Sequence, residues 1–130
     1  MLKYFTEDEL KCPSSGEVKL AEGFGEKLDE LRDALGYPMQ LNSACRSNDH
    51  VNWLITRGYP ASRYSFHLIN NSKYGTDTCA VDVHIPHGHY RFQLMELALK
   101  DKWAIGVAKS FLHLDRRVDY TTMNPVVYVY

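Results

Sequence analysis

Phe111-Leu-His-Leu-Asp-Arg-Arg117 is the stretch on which the reading of this chain turns. Side chains alternate along a strand. Phe111, His113, Asp115 and Arg117 therefore share one face, and Leu112 and Leu114 share the other. Two leucines on one face are ordinary core. A histidine, an acid and a base in sequence on the opposite face imply that this side of the sheet looks into something polar.

Working outward, "AVDVHI" (Ala80 to Ile85), "AIGVA" and "VVYVY" read as further strands, and "MQLN" as a short one. Earlier in the chain, Phe24, Leu28, Leu31 and Leu35 recur at helical spacing. They predict a helix from about Ala21 to Leu35, closed by Gly36, with Pro38 blocking continuation. "TEDE" fits a capping box opening a short helix. Asp49 is a candidate cap for a helix running to Gly58, "PHGH" reads as loop, and Phe92 to Lys100 as helix. Tyr59 to Thr78 is polar and turn-rich, and a connection of that length inside a domain is usually functional or mobile. Helices first and strands mostly later, without regular βαβ alternation, predict an α+β fold whose sheet is largely antiparallel and flanked by helices.

The 130 residues fit one domain, residues 1–130. Fifteen Lys and Arg against 16 Asp and Glu leave a net charge of −1, which offers no electrostatic case for nucleic acid or a membrane surface. No apolar run approaches a membrane span. The N-terminus "MLKYFTEDEL" has no apolar signal-peptide core, so synthesis in a cytoplasm is expected. Cys12, Cys45 and Cys79, odd in number and widely spaced, read as free thiols rather than a disulfide framework or metal knuckle.

The candidate chemistry lies among the histidines. His67 stands in "SFHL" before the long loop, Asp82 stands between valines, and His113 is mid-strand. An unpaired carboxylate flanked by valines is costly, so Asp82 needs a partner. An arginine would serve. So would a metal, because two imidazoles and one carboxylate with an open fourth position make a catalytic zinc site. His84, His87 and His89 sit in and beside "HIPHGH" next to proline and glycine, where solvated side chains are the ordinary case, with proton transfer as a lesser role.

The order of motifs is also informative. "SACR" (Ser43 to Arg46), "SFH" (Ser65 to His67), "AVD" (Ala80 to Asp82) and "GVAKSFLHLD" (Gly106 to Asp115) resemble the zinc D-Ala-D-Ala carboxypeptidase and murein endopeptidase family, which includes phage endolysins and shares its fold with the hedgehog signalling domain. "YFTEDELKCPSSG" and "LDELRDALGYPMQLNSACR" are similar to the family's opening, so the resemblance spans nearly the whole chain.

The resemblance implies one zinc ion per chain held by His67, Asp82 and His113, with water at the open position. The metal lowers the pKa of that water from about 15.7 to roughly 7. Arg46 would bind a peptide carboxylate or neutralise the tetrahedral intermediate, and Ser65 would position His67 or bind substrate. The implied reaction is hydrolysis of an amide bond in peptidoglycan stem peptides by a monomer, made in a host cytoplasm and acting on the wall after release.

Two departures stand out. His67 and Asp82 lie further apart than is usual in the family, as if residues around "INNSKYGT" were inserted, which suggests a lid or rim. Many members carry the catalytic acid three residues before the last histidine, where this chain has Ser110. Asp115 is the remaining candidate for general base. It is equally readable as a contact that holds a metal ligand in place, or as a partner of Arg116 or Arg117. Without a base, the alternative is a non-catalytic hedgehog-like zinc module; a third reading is a phage tail or baseplate component that cuts wall during entry.

Overall fold

The computed structural model describes residues 2–130. Phe111–Asp115 forms a strand, β4 below, and its alternation sorts the side chains as the sequence implies. Leu112 and Leu114 are fully buried in the hydrophobic core, while His113 and Asp115 are buried on the opposite face.

The elements are α1 (Glu7–Leu10), α2 (Phe24–Leu35), β1 (Leu41–Ser43), α3 (Asn48–Thr56), β2 (Ala80–His84), α4 (Gly88–Lys100), β3 (Ala104–Val107), β4 (Phe111–Asp115), α5 (Arg117–Tyr120) and β5 (Val127–Val129). The protein is a small α+β domain on a mixed sheet of order β1-β2-β4-β3-β5. Three of its pairings are antiparallel and the last, β3 with β5, is parallel.

Val81 and Val83 from β2, Ile105 from β3 and Leu112 and Leu114 from β4 form the core face of the sheet. Phe24, Leu28, Leu31 and Leu35 of α2 and Leu94 and Ala98 of α4 complete the same core cluster. Each fully buried leucine of this set contributes roughly 1.5–3 kcal/mol. One side of the sheet is thus sealed by helices, and the polar side is left to loops.

Several element ends differ from the sequence expectation. Helix α2 begins at Phe24 rather than Ala21, because Gly23 adopts a left-handed conformation (φ 85°) at its N-cap; Gly36 (φ 76°) ends it as expected. Helix α3 is capped by Ser47, whose hydroxyl accepts from the His50 N–H, so Asp49 falls inside the first turn. The end of "PHGH" belongs to α4, since the His87 ring accepts from the Tyr90 N–H and starts the helix at Gly88. Phe92 consequently lies on the exposed face of α4.

The long connection between α3 and β2 has local structure. Phe66, His67, Leu68, Ile69 and Asn71 are buried along it, and isolated bridges tie Arg46 to Leu68 and Asn71 to Thr76. The three cysteines are free and buried. Among the described residues no helix is long and apolar enough to cross a membrane.

Candidate metal centre

Sheet register assembles the site. Ser43 on β1 lies opposite Asp82 on β2, Asp82 opposite His113 on β4, His113 opposite Gly106 on β3, and Gly106 opposite Tyr128 on β5. These five residues form a row across the sheet, with Asp82 and His113 as adjacent cross-strand neighbours. His67 is not on the sheet. The turn that carries it is stitched down by its own backbone: the Ser65 hydroxyl accepts from the His67 N–H (3.1 Å), and the His67 carbonyl accepts from the Arg46 N–H and the Thr78 hydroxyl (both 2.8 Å). Ser65 therefore places His67 through the main chain.

His67 Nε2 and His113 Nδ1 each lie 3.1 Å from the same Asp82 oxygen, Oδ1. The three ligand atoms lie within 4.8 Å of one another, and all three residues are buried. Tetrahedral zinc with bonds of about 2.0–2.2 Å sets its ligand atoms about 3.4 Å apart. Two of the separations here are close to that value.

The outer ring nitrogens decide the tautomers. His67 Nδ1 lies 2.7 Å from the Ala44 carbonyl, which can only accept, so Nδ1 carries the proton and the Nε2 lone pair faces inward. His113 Nε2 donates to Asp115 Oδ2 at 2.7 Å, leaving Nδ1 toward Asp82. Both imidazoles thus have one nitrogen anchored outward and the other directed at one point, the arrangement that orients metal-ligating histidines. Two imidazole nitrogens and a carboxylate oxygen suit zinc among other divalent transition metals.

Burial dominates His67 and pushes its pKa down, outweighing Asp82, so the ring is neutral and available as a ligand. Burial opposes charge on His113 too, but the carboxylates of Asp115 and Asp82 on its two nitrogens outweigh it and raise its pKa. Asp82 is also desolvated, yet the hydrogen bond with His113 holds its carboxyl below the usual range. For Asp115, burial is again overcome, by hydrogen bonds from His113 and Arg117, which bring it down to about 2.

Asp115 does not face the cleft. It is fully buried, and its oxygens take the His113 Nε2–H, the Arg117 backbone N–H (2.9 Å) and the Arg117 Nε and Nη2 (2.9 and 2.8 Å). Arg46 donates from Nη2 to Asp82 Oδ2 (3.3 Å) and from Nε to the Ser43 hydroxyl (3.0 Å). Ser110 is exposed in the β3–β4 turn. His84, His87 and His89 do not line the cleft.

At the three candidate ligands opens a cavity of about 760 Å³, with Arg46, Ser65, His67, Asp82 and His113 in its lining. Tyr128 belongs to that lining and was not distinguishable in the sequence. Its ring lies over Gly106: a Cβ added there would sit 2.6 Å from the Tyr128 Cζ and 2.7 Å from its hydroxyl. The absence of a side chain at Gly106 lets the phenol pack over the row, its ring centroid 6.1 Å from that of His113 and its plane tilted by 47°. A glycine inside the strand "AIGVA" is the available signal, since such glycines often mark close approach of another group. Asn71, at the hub of the long loop, carried no comparable signal.

Comparison with family models, curated proteins and solved structures finds no match for this chain.

Proposed function

We propose that this protein is a zinc-dependent peptidoglycan peptidase that hydrolyses an amide bond in murein stem peptides. The observation that carries the reading is the convergence of His67 Nε2, Asp82 Oδ1 and His113 Nδ1 at the floor of an open cleft, with each imidazole held by an outer hydrogen bond. The choice of wall peptide, and of a phage lysis enzyme released from a host cytoplasm, rests on the motif resemblance.

Zinc, when bound, supplies a Lewis acid and water acidified to a pKa of about 7. The protein's part is positioning and electrostatics. Ala44 and Asp115 hold the two rings in the ligating tautomer. Arg46, on the second oxygen of Asp82, orients that carboxylate and brings a cation beside the substrate carbonyl, where charge develops as the amide is attacked. The Tyr128 hydroxyl, lying over Gly106, is a neutral donor for the same carbonyl. Asp115 acts as a positioning residue, since its acceptor capacity is engaged by His113 and Arg117.

One observation favours the second reading, a non-catalytic zinc module. Among the described residues Asp82 is the sole carboxylate lining the cleft, and Asp82 is a ligand. Hydrolysis decides between the two. Zinc-loaded protein incubated with purified muropeptides should yield products heavier in sum by one water, and chelation should abolish them. A zinc-replete protein that releases nothing leaves the binding module as the reading.

A further inference from the structure

The charges in the cleft do not cancel. Its lining holds three cations, Arg46, Lys73 and Arg117, against Asp82 alone. Two of the cations have partners: Arg46 is paired with Asp82, and Arg117 with Asp115 beneath the cleft wall. Lys73 has no acidic side chain within ion-pair distance among the described residues. Its ammonium instead lies 5.3 Å from the Tyr64 ring centroid and 5.4 Å from that of Tyr74, and both tyrosines also line the cleft. Two ring faces steer an exposed lysine without neutralising it.

The loop presenting Lys73 is held in place. Asn71 is almost wholly buried, and its amide donates to the carbonyls of Tyr64 (3.0 Å) and Ser65 (3.1 Å). Its Oδ1 accepts from the N–H groups of Lys73 (3.0 Å) and Tyr74 (3.3 Å). The backbone closes the turn, with Asn71 N–H to Thr76 and Gly75 N–H to Asn71 (both 2.8 Å). Tyr74 stacks on Phe66 at 5.0 Å, next in sequence to His67. The segment that separates His67 from Asp82 thus fixes Lys73 to the same scaffold as the metal ligand. A cation carried on a backbone already fixed leaves only its own side chain to be ordered when it is engaged.

We propose that Lys73, framed by Tyr64 and Tyr74, is a carboxylate-recognition subsite, so that the protein prefers peptides bearing a free carboxylate away from the amide to be cut. The inference deepens the peptidase reading and takes its peptide ligand from it. A lysine serves here as a charged donor to a carboxylate oxygen, with tyrosine hydroxyls available as further donors.

The test uses two synthetic peptides, L-Ala-γ-D-Glu-L-Lys-D-Ala with the C-terminus amidated in both and the glutamyl α-carboxyl either free or amidated. Ligand-observed NMR against zinc-loaded protein reads affinity. Wild type should bind the free acid about two- to fivefold more tightly, the range of a partly solvated ion pair. Lys73→Met should erase the preference by weakening the acid form alone, and Lys73→Arg should retain most of it. Melting curves confirm the fold of both variants. Equal affinities in wild type, or a preference that survives Lys73→Met, overturn the subsite. Turnover is read in parallel on purified muropeptides, which carry every stem-peptide bond: preference without turnover there sinks the hydrolase reading and leaves the subsite standing, and turnover without preference does the reverse. Binding of neither peptide overturns both.

Discussion

Replacing Asp115 by Asn tests how the site is held together. Every group around the Asp115 carboxylate is a donor: His113 Nε2–H and Arg117 Nη2 on Oδ2, Arg117 N–H and Nε on Oδ1. An amide has one acceptor end. If its oxygen stays toward His113, its NH2 meets the two Arg117 donors, and a buried ion pair loses its charge. If it turns, the NH2 meets His113 Nε2, which must become an acceptor; the proton then moves to Nδ1, the atom directed at Asp82 and the metal position. The first arrangement costs about 3 kcal/mol, from unsatisfied buried donors and a broken buried pair. For a domain of this size that is a fall of about 10 °C in melting temperature. The second lowers zinc affinity by about 10–100-fold, as loss of an orienting contact does. Asp115→Asn should therefore melt early, bind zinc weakly in chelator competition, and regain turnover with excess zinc. A variant that keeps wild-type zinc affinity and melting temperature but loses about 10²–10⁴ in kcat would refute this reasoning and make Asp115 the general base.

Three further outcomes are expected. Gly106→Ala puts a Cβ within 2.6–2.8 Å of the Tyr128 ring; it should cost about 1–3 kcal/mol in a denaturant melt and displace Tyr128 from its NMR contact with His113, whereas an unchanged contact would show that the phenol does not need the glycine. Asn71→Ala removes the acceptor of the Lys73 and Tyr74 amides and should accelerate their hydrogen exchange by at least tenfold while that of β4 changes less. The third outcome concerns pH. The Asp115 carboxyl is depressed to about 2 in the fold from an ordinary 3.8, so its contribution is complete above about pH 4 and is lost as pH falls toward 2. That contribution is on the order of 2 kcal/mol, and metal-free wild type should lose it across this window while metal-free Asp115→Asn shows a flatter profile.

The legible and illegible parts of the sequence separate on physical grounds. Alternation in "FLHLDRR" and "AVDV" fixes faces, so Leu112, Leu114, Val81 and Val83 were identifiable as core, and Asp82 and His113 as facing the polar side. The spacing of Phe24, Leu28, Leu31 and Leu35 located α2. Alternation does not give depth, however. Two residues on one strand face are about 6–7 Å apart, near enough for the second to bond the far nitrogen of the first. The roles left open for Asp115 therefore shared one pattern, and Arg117 folding back after the strand is what separates them. The long connection read as functional or mobile because what anchors it is mostly bonding to backbone groups, as with the four partners of the Asn71 side chain, and such bonding leaves no periodic signal. Nothing in "VVYVY" announces a parallel pairing with β3, because strand direction follows from the path of the chain after α5. Ser47 and His87 displaced the expected helix starts because several polar residues compete for each cap.

The central claim is that His67, Asp82 and His113 form one metal centre. Calorimetric titration of chelator-stripped protein with zinc tests it most directly. Wild type should bind one equivalent and release protons as His113 gives up the proton shared with Asp82. His67→Ala, Asp82→Ala and His113→Ala should each abolish the tight phase. A wild-type chain that takes up no zinc, or a His113→Ala variant that binds it as tightly as wild type, would contradict the account.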